Sequence, residues 1–224
     1  MFRIKICGVT CAEDGRLAAE AGADAIGLNF YAESKRAVTP ELAVEIADSM
    51  PEGIVRVGVF VHATLDEINA ICDRVPLDAI QLHGDERPEF MAQITRLPVV
   101  RAFRLGADGP DHIHTYLAEC QELDCSPRLV LIDSHQAGEY GGTGAVSDWN
   151  VVADLAATLA ERAIVLAGGL TPDNVAEAID TVLPAAVDTA SGVEREPGRK
   201  DPIRVRAFVE QARHAYARLD DDIL

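Results

Sequence analysis

The sequence is short of positive charge. Its 224 residues contain 20 Lys and Arg against 37 Asp and Glu, which gives a formal net charge of −17 at pH 7. Nucleic acids and anionic membranes bind basic protein faces, so we expect neither as a partner. An anionic small molecule would instead have to be held locally, by a few arginines and by backbone N–H groups.

Paired cysteines and long apolar runs are also missing. The cysteines are odd in number and show no pair at the spacing of a metal knuckle; they are Cys7, Cys11, Cys72, Cys120 and Cys125. This pattern suits a reducing compartment without structural disulfides. No long apolar run follows the start Phe2-Arg3-Ile4-Lys5, so we expect no signal peptide, no membrane span and a cytoplasmic protein.

No linker rich in Pro, Gly or Ser divides the chain, and short β-rich runs alternate with stretches of helical periodicity. Eight such runs lie at residues 2–7, 25–30, 54–60, 79–83, 99–105, 129–133, 163–167 and 186–190. Eight strand–helix units predict an α/β protein, a single (β/α)8 TIM barrel over residues 1–224 whose acidic tail 220–224 is frayed. A doubly wound open sheet is the rival, but the first run ends in Cys7-Gly8 and lacks G-x-G-x-x-G.

Capping residues in the sequence indicate where several helices begin or end. Gly22 is expected as a C-cap, and Thr39-Pro40-Glu41 opens the second helix. Thr64-Leu65-Asp66-Glu67 predicts a capping box for the third helix, and Thr171-Pro172-Asp173 predicts the start of the seventh. The last helix is predicted over residues 202–219.

Strand phase predicts a polar barrel interior, because alternate residues of a strand point to opposite faces. If Cys7 points inward, the same phase predicts inward side chains at Arg3, Lys5, Gln81, His83, Leu131, Asp133 and Asp188, and outward ones at Ile4, Ile6, Ile80, Leu82 and Val187. Buried polar groups must pair with one another or face a ligand. Lys5 with Asp188 is the expected internal ion pair.

Two strand ends carry groups suited to acid–base chemistry. Cys7 precedes a helix, whose positive end would favour the thiolate; the alternative is a buried structural cysteine. Asp133 closes the apolar run Leu129-Val130-Leu131-Ile132, where poor solvation would raise its pKa; the alternative is a carboxylate that caps the next segment.

Glycine-rich strand ends and one loop arginine indicate anion binding. Gly168-Gly169 and Ser191-Gly192 follow the last two strands, where phosphate sites recur in barrels, although each pair alone could be a turn. Arg36, after the second strand, could clamp a second acidic group or be a solvated loop charge. The segment 138–144 is either a mobile lid or a plain flexible loop.

The sequence closely resembles the phosphoribosylanthranilate isomerase family of tryptophan biosynthesis. The matching motifs occur in order through nearly the whole chain: KICGVT at 5–10, SKRAVTPELA at 34–43, VGVF at 57–60, IQLHGDE at 80–86, LID at 131–133, GGTG at 141–144, LAGGLTPDNV at 166–175, DTASGVE from 188 and GRKD ending at 201. Three positions depart from the usual pattern, namely Asn29, Ser147 and Ala190.

The resemblance implies a barrel enzyme that acts on a small molecule, and we expect a monomer rather than a homodimer. It would convert N-(5-phosphoribosyl)anthranilate to 1-(2-carboxyphenylamino)-1-deoxyribulose 5-phosphate by an Amadori rearrangement, without a metal or other cofactor. Cys7 matches the general base and Asp133 the general acid. The substrate-binding positions are Arg36 for the anthranilate carboxylate, Gly168, Gly169, Ser191 and Gly192 for the phosphate, and His83, Gly142 and Asp188.

Three alternative functions compete with this one. The isomerase of histidine biosynthesis performs the same rearrangement, but that family has an aspartate where this chain has Cys7. Epimerases and aldolases of sugar phosphates would need a Schiff-base lysine or a metal-ligand set that the strand ends do not show. A phosphate-binding protein without catalysis is the alternative outside the enzymes, and the presence of both Cys7 and Asp133 speaks against it.

Overall fold

The computed structural model describes residues 1–105, 109–134, 149–159 and 162–222. Eight parallel strands form a closed barrel in chain order, and the pairing of the first strand with the eighth closes it. The predicted (β/α)8 barrel is therefore confirmed. The strands are β1 (Ile4–Ile6), β2 (Ala25–Asn29), β3 (Val55–Phe60), β4 (Ala79–Leu82), β5 (Val99–Arg104), β6 (Leu129–Asp133), β7 (Ile164–Ala167) and β8 (Ala186–Thr189).

Helices connect the strands. They are α1 (Ala12–Ala21), α2 (Pro40–Asp48), α3 (Leu65–Arg74), α4 (Pro88–Met91), α5 (Asp111–Glu122), α6 (Trp149–Thr158), α7 (Val175–Val182) and α8 (Pro202–Asp222). The capping box at Thr64 and Glu67 is formed, Thr39 caps α2, and Gly22 ends α1 with φ of 96°, all as predicted. Among the described residues, none of the helices is both long and apolar enough to cross a membrane.

The strands separate two apolar layers, as the alternation of side chains predicts. Outward residues such as Ile6, Leu82 and Val187 pack against the helices. The inward layer is small and consists of Phe2, Ala25, Val57, Ala79, Val100, Ala102, Leu129, Leu131, Val165, Ala167 and Ala186. This layer fills the lower barrel, so the polar inward residues lie above it, toward the carboxyl ends of the strands.

Arg3 does not point into the barrel, against the prediction. Its guanidinium forms a bidentate ion pair with Asp220 of α8, at 2.7 and 2.9 Å, and lies 5.0 Å from the ring centre of Tyr216. The alternation fails because β1 begins only at Ile4, and the preceding Phe2 fills the barrel instead. The last helix extends past its predicted end at residue 219, because α8 continues to Asp222.

The start predicted for α7 is wrong by four residues. Thr171-Pro172-Asp173 forms a turn, in which the Asn174 side chain accepts a hydrogen bond from the Thr171 N–H at 2.7 Å. The helix begins at Val175. An Asn side chain that satisfies a nearby backbone donor competes with the helix, so the Thr-Pro signal marks the turn here.

The chain forms an additional hairpin after the barrel. A 3₁₀ turn, Ser191–Val193, follows β8, and two short antiparallel strands come next, β9 (Glu194–Glu196) and β10 (Arg199–Lys200). Sequence periodicity did not predict this hairpin. It leads directly into α8 and places residues 194–200 near the loops that follow β1 and β2.

Candidate active site at the carboxyl ends of the strands

Cys7 follows β1 at the mouth of the barrel. Its backbone N–H donates to the carbonyl of Thr189 on β8 at 2.8 Å. Burial raises the pKa of the thiol, and the positive charges of Lys5 and Lys200 offset this only in part. Helix α1 begins five residues later, at Ala12, so the expected contact with a helix N-terminus is not what governs the thiol. Burial of the thiol therefore opposes the predicted thiolate, while Lys5 and Lys200 favour it.

Lys5 and Asp188 form the predicted ion pair inside the barrel. The Lys5 ammonium lies 3.0 Å from Asp188 Oδ2, and both side chains are almost fully buried. Burial raises the pKa of Asp188, and the charge of Lys5 offsets this in part. The other oxygen, Asp188 Oδ1, has no hydrogen-bond partner among the described residues. It is an acceptor suited to a hydroxyl group of a bound sugar.

His83 and Asp133 lie beside each other at the ends of β4 and β6. His83 Nε2 is 3.6 Å from Asp133 Oδ2, and the two side chains are 22% and 25% exposed. The Gln81 amide nitrogen lies 3.0 Å from His83 Nδ1. The Gln81 amide therefore contacts the Nδ1 side of the His83 ring, and Asp133 lies on its Nε2 side. Both ionisable groups lie close enough to Asp188 to influence its pKa, which places them near the Lys5–Asp188 pair.

Arg36 is neither solvated nor free. Its Nε and Nη2 atoms donate to the two carboxylate oxygens of Glu194 at 2.7 and 2.6 Å. The loop that carries it is ordered by Asn29, whose side chain bonds the Tyr31 N–H at 2.9 Å and the Ser34 hydroxyl at 3.1 Å. Asn29, one of the three unusual positions, therefore fixes the arginine loop. The solvated-charge alternative for Arg36 is wrong.

The two glycine-rich ends adjoin one another. Gly168 and Gly169 have φ of 93° and 67°, a region that favours glycine. A Cβ at Gly192 would lie 1.8 Å from the carbonyl oxygen of Leu170, so only glycine allows this approach of the two loops. Ser191 is exposed in the 3₁₀ turn beside it. Neighbouring backbone N–H groups in such turns form anion sites. Gly142, in the predicted lid, lies outside the described residues.

Three residues of the site escaped sequence reasoning. A Cβ at Gly27 of β2 would lie 2.6 Å from Cys7 Sγ, so this glycine makes room for the thiol. Glu194 binds Arg36, and Lys200 bonds the Cys7 carbonyl oxygen. Glu194 and Lys200 stand in the motifs DTASGVE and GRKD, which could have drawn attention to them. Within the described residues, no cluster of His, Cys, Asp or Glu could hold a metal.

Comparison with protein families gives a match over nearly the whole chain. Residues 4–211 match the family model described as "N-(5'phosphoribosyl)anthranilate (PRA) isomerase". A protein named N-(5'-phosphoribosyl)anthranilate isomerase from Geotalea uraniireducens is 46% identical over 215 residues, 95% of this chain and 99% of that one. The protein of the same name from Pseudomonas aeruginosa is 47% identical over 212 residues, 94% and 95% of the two chains.

Solved structures agree with these relatives. Phosphoribosyl anthranilate isomerase from Thermotoga maritima has a TM-score of 0.82 and 38% identity, covering 96% of this chain and 100% of that one. A second structure, with a TM-score of 0.78 and 36% identity over 96% and 100% of the chains, is an isomerase in complex with reduced 1-(o-carboxyphenylamino)-1-deoxyribulose 5-phosphate. The chain therefore belongs to the N-(5'-phosphoribosyl)anthranilate isomerase family.

Proposed function

We propose that the chain converts N-(5-phosphoribosyl)anthranilate to 1-(2-carboxyphenylamino)-1-deoxyribulose 5-phosphate in tryptophan biosynthesis. The observation that supports this most is the convergence of Cys7, His83 and Asp133 on one barrel mouth, next to the Lys5–Asp188 pair. The reduced product analogue bound by a relative supports the same substrate class. The cytoplasmic address, the monomeric state and the single-domain organisation stay predictions.

Asp133 acts first, as the general acid. It donates a proton to the ring oxygen of the sugar while the bond from that oxygen to C1 breaks, and the anthranilate nitrogen forms an iminium with C1. His83 Nε2 lies 3.6 Å from Asp133 Oδ2 and can orient the carboxyl group.

Cys7 acts second, as the general base. It removes the proton from C2, the electrons move into the iminium, and the resulting enolamine tautomerises to the C2 ketone. In this proposal the thiol is neutral in the free enzyme and ionises when the substrate is bound. Lys5 and Lys200 favour the thiolate because they are positively charged. The positive charge of the iminium next to C2 favours it as well.

The two ends of the substrate are held at separate places. The glycine turns at Gly168, Gly169, Ser191 and Gly192 offer backbone N–H groups to the phosphate. Arg36 holds the anthranilate carboxylate with its Nη1 edge, since Glu194 uses Nε and Nη2 and no described residue accepts from Nη1. Asp188 Oδ1 accepts from a sugar hydroxyl between them.

A turnover assay tests the proposal. The wild type should convert phosphoribosylanthranilate, and should convert the aminoaldose of the histidine pathway far more slowly. Asp133→Asn and Cys7→Ala should each lower kcat by about 10²- to 10⁴-fold with an unchanged thermal midpoint. Asp180→Asn, on the exposed face of α7, is the matched control. Near-normal turnover in either site variant would remove that residue from the mechanism, and an inactive wild type would overturn the function.

A further inference from the structure

The hairpin β9–β10 is packed onto the loops that carry the proposed catalytic groups. The Thr10 hydroxyl, just beyond Cys7, donates to the Gly198 carbonyl at 2.5 Å. The ideal Cβ position of Gly198 also lies 3.2 Å from the carbonyl oxygen of Lys35, which precedes Arg36. The hairpin thus joins the loop after β1 to the loop after β2.

Lys200, at the end of this hairpin, is fully buried and uses all three of its N–H donors. Its ammonium bonds the Cys7 carbonyl at 2.6 Å, the Ala190 carbonyl at 3.1 Å and Glu194 Oε1 at 3.0 Å. Ala190 directly precedes the Ser191 turn. One ammonium therefore holds the backbone of the proposed base and the start of the proposed phosphate turn.

Glu194 extends the same network to Arg36. Its side chain is 4% exposed, and its two oxygens accept from both Arg36 and Lys200. Burial alone would raise the pKa of Glu194, but the two cations outweigh it and hold the pKa below its ordinary value. Glu194 is therefore an anion that fixes the Arg36 guanidinium in one plane.

We propose that Lys200 and Glu194 are positioning residues of the isomerase reaction. Lys200 sets the backbone at Cys7 and at the phosphate turn, and Glu194 orients Arg36 toward the substrate carboxylate. Burying a lysine–carboxylate pair costs desolvation free energy, and apolar residues of similar volume stabilise a fold at least as well. The inference rests on the proposed function for its substrate contacts.

The test compares three variants of the full chain. Lys200→Met removes the charge and the carbonyl bonds, Glu194→Gln keeps the shape but weakens the hold on Arg36, and Arg195→Met changes an exposed cation of the same hairpin as the control. A small displacement of reacting groups costs up to about 10²-fold in rate, so we expect a kcat loss of that order in Lys200→Met. Inorganic phosphate, used as a competitive inhibitor, should bind at least several-fold more weakly.

The reactivity of Cys7 gives a readout that needs no turnover. The charged groups that face the thiol are Lys5, Asp188, Arg36 and Lys200. Loss of the Lys200 charge should move the pH midpoint of Cys7 alkylation by iodoacetamide upward, measured by mass spectrometry that separates Cys7 from Cys11. Glu194→Gln should instead raise KM with a smaller change in kcat. A higher alkylation midpoint in Lys200→Met and a higher KM in Glu194→Gln distinguish the two positioning roles from a general loss of packing.

Each outcome decides the inference separately from the function. If the wild type turns over and both variants match Arg195→Met in kcat, KM and alkylation midpoint, the positioning roles are overturned. If the wild type does not turn over, the proposed function fails, while the alkylation midpoint of Lys200→Met still tests the anchor on Cys7. Should Lys200→Met not fold, the isosteric Glu194→Gln decides: a KM equal to that of the wild type overturns the role of Glu194.

Discussion

Lys5 and Asp188 are register neighbours on β1 and β8, and their side chains form an ion pair of 3.0 Å inside the closed barrel. Below them the barrel is apolar, and above them lie Cys7, His83 and Asp133. The ion pair thus lies at the bottom of the proposed substrate site. Its cost in desolvation is offset only while both partners are present.

Removing one partner of this pair should destabilise the protein strongly. Lys5→Met leaves the Asp188 carboxylate buried without its cation, which is expected to lower the free energy of unfolding by about 3–5 kcal/mol. The double variant Lys5→Met/Asp188→Leu replaces the pair by apolar groups and should recover most of that loss. Urea unfolding of the single and double variants measures both values. If the loss in the double variant equals the sum of the losses in Lys5→Met and in Asp188→Leu alone, the two residues are not energetically coupled.

Gly27→Ala should damage the site more than the fold. The new Cβ would lie 2.6 Å from Cys7 Sγ and 3.1 Å from Lys5 Nζ, so the thiol must move. Because the reacting groups must be placed within about 1 Å, we expect kcat to fall by up to about 10²-fold.

Gly58→Ala is the control for that substitution. Its Cβ would lie 2.6 Å from Leu77 Cδ1 and 2.9 Å from Phe60 Cε2, which are outside the barrel. It should cost about 1–3 kcal/mol of stability, as overpacking does, and leave kcat nearly unchanged. Equal kcat losses in both glycine variants would contradict the steric argument.

The barrel and most of the site residues could be predicted from the sequence, because the signals are local. Runs such as Leu129–Asp133 are apolar, short and regularly spaced, which is typical of the sequences of buried parallel strands. Strand alternation then placed Lys5 opposite Asp188. Two local predictions failed. The start of α7 was placed at Thr171, where the Asn174 side chain forms a turn instead, and Arg3 was expected to point inward, but β1 begins only at Ile4.

The Arg36–Glu194–Lys200 network could not be predicted in the same way. Arg36 and Glu194 are 158 positions apart, and neither periodicity nor capping rules describe contacts at that separation. The hairpin that carries Lys200 lies outside the strand–helix repeat. The environment of the Cys7 thiol is likewise not set by the adjacent helix: burial raises its pKa, and Lys5, Asp188 and Lys200 act on it as well.

The Cys7 thiol should ionise above the pH of an ordinary cysteine. Burial raises its pKa in the folded protein, so the alkylation midpoint is expected above the free-thiol value of about 8.5. The same shift means that the folded state retains this proton longer than the unfolded chain, so its contribution to stability is present below the unfolded pKa and declines as pH rises through the folded pKa.

Iodoacetamide labelling across a pH series, with Cys7→Ser as the blank, measures that midpoint in the free enzyme. The acid limb of kcat/KM should follow the same ionisation, because kcat/KM reports groups of the free enzyme. A midpoint below that of a free thiol would show that the charges of Lys5 and Lys200 outweigh burial and that Cys7 is a thiolate in the free enzyme.

Arg36→Met should weaken substrate binding with little effect on the chemical step. A hydrogen bond to a charged group contributes about 1.5–3 kcal/mol, so the loss of the guanidinium should raise KM by about ten- to a hundredfold. Lys35→Met changes the exposed neighbouring cation and should leave KM unchanged. Steady-state kinetics on both variants gives the comparison. If Arg36→Met lowers kcat and leaves KM at the wild-type value, Arg36 acts on the transition state instead, and the anthranilate carboxylate must be bound elsewhere.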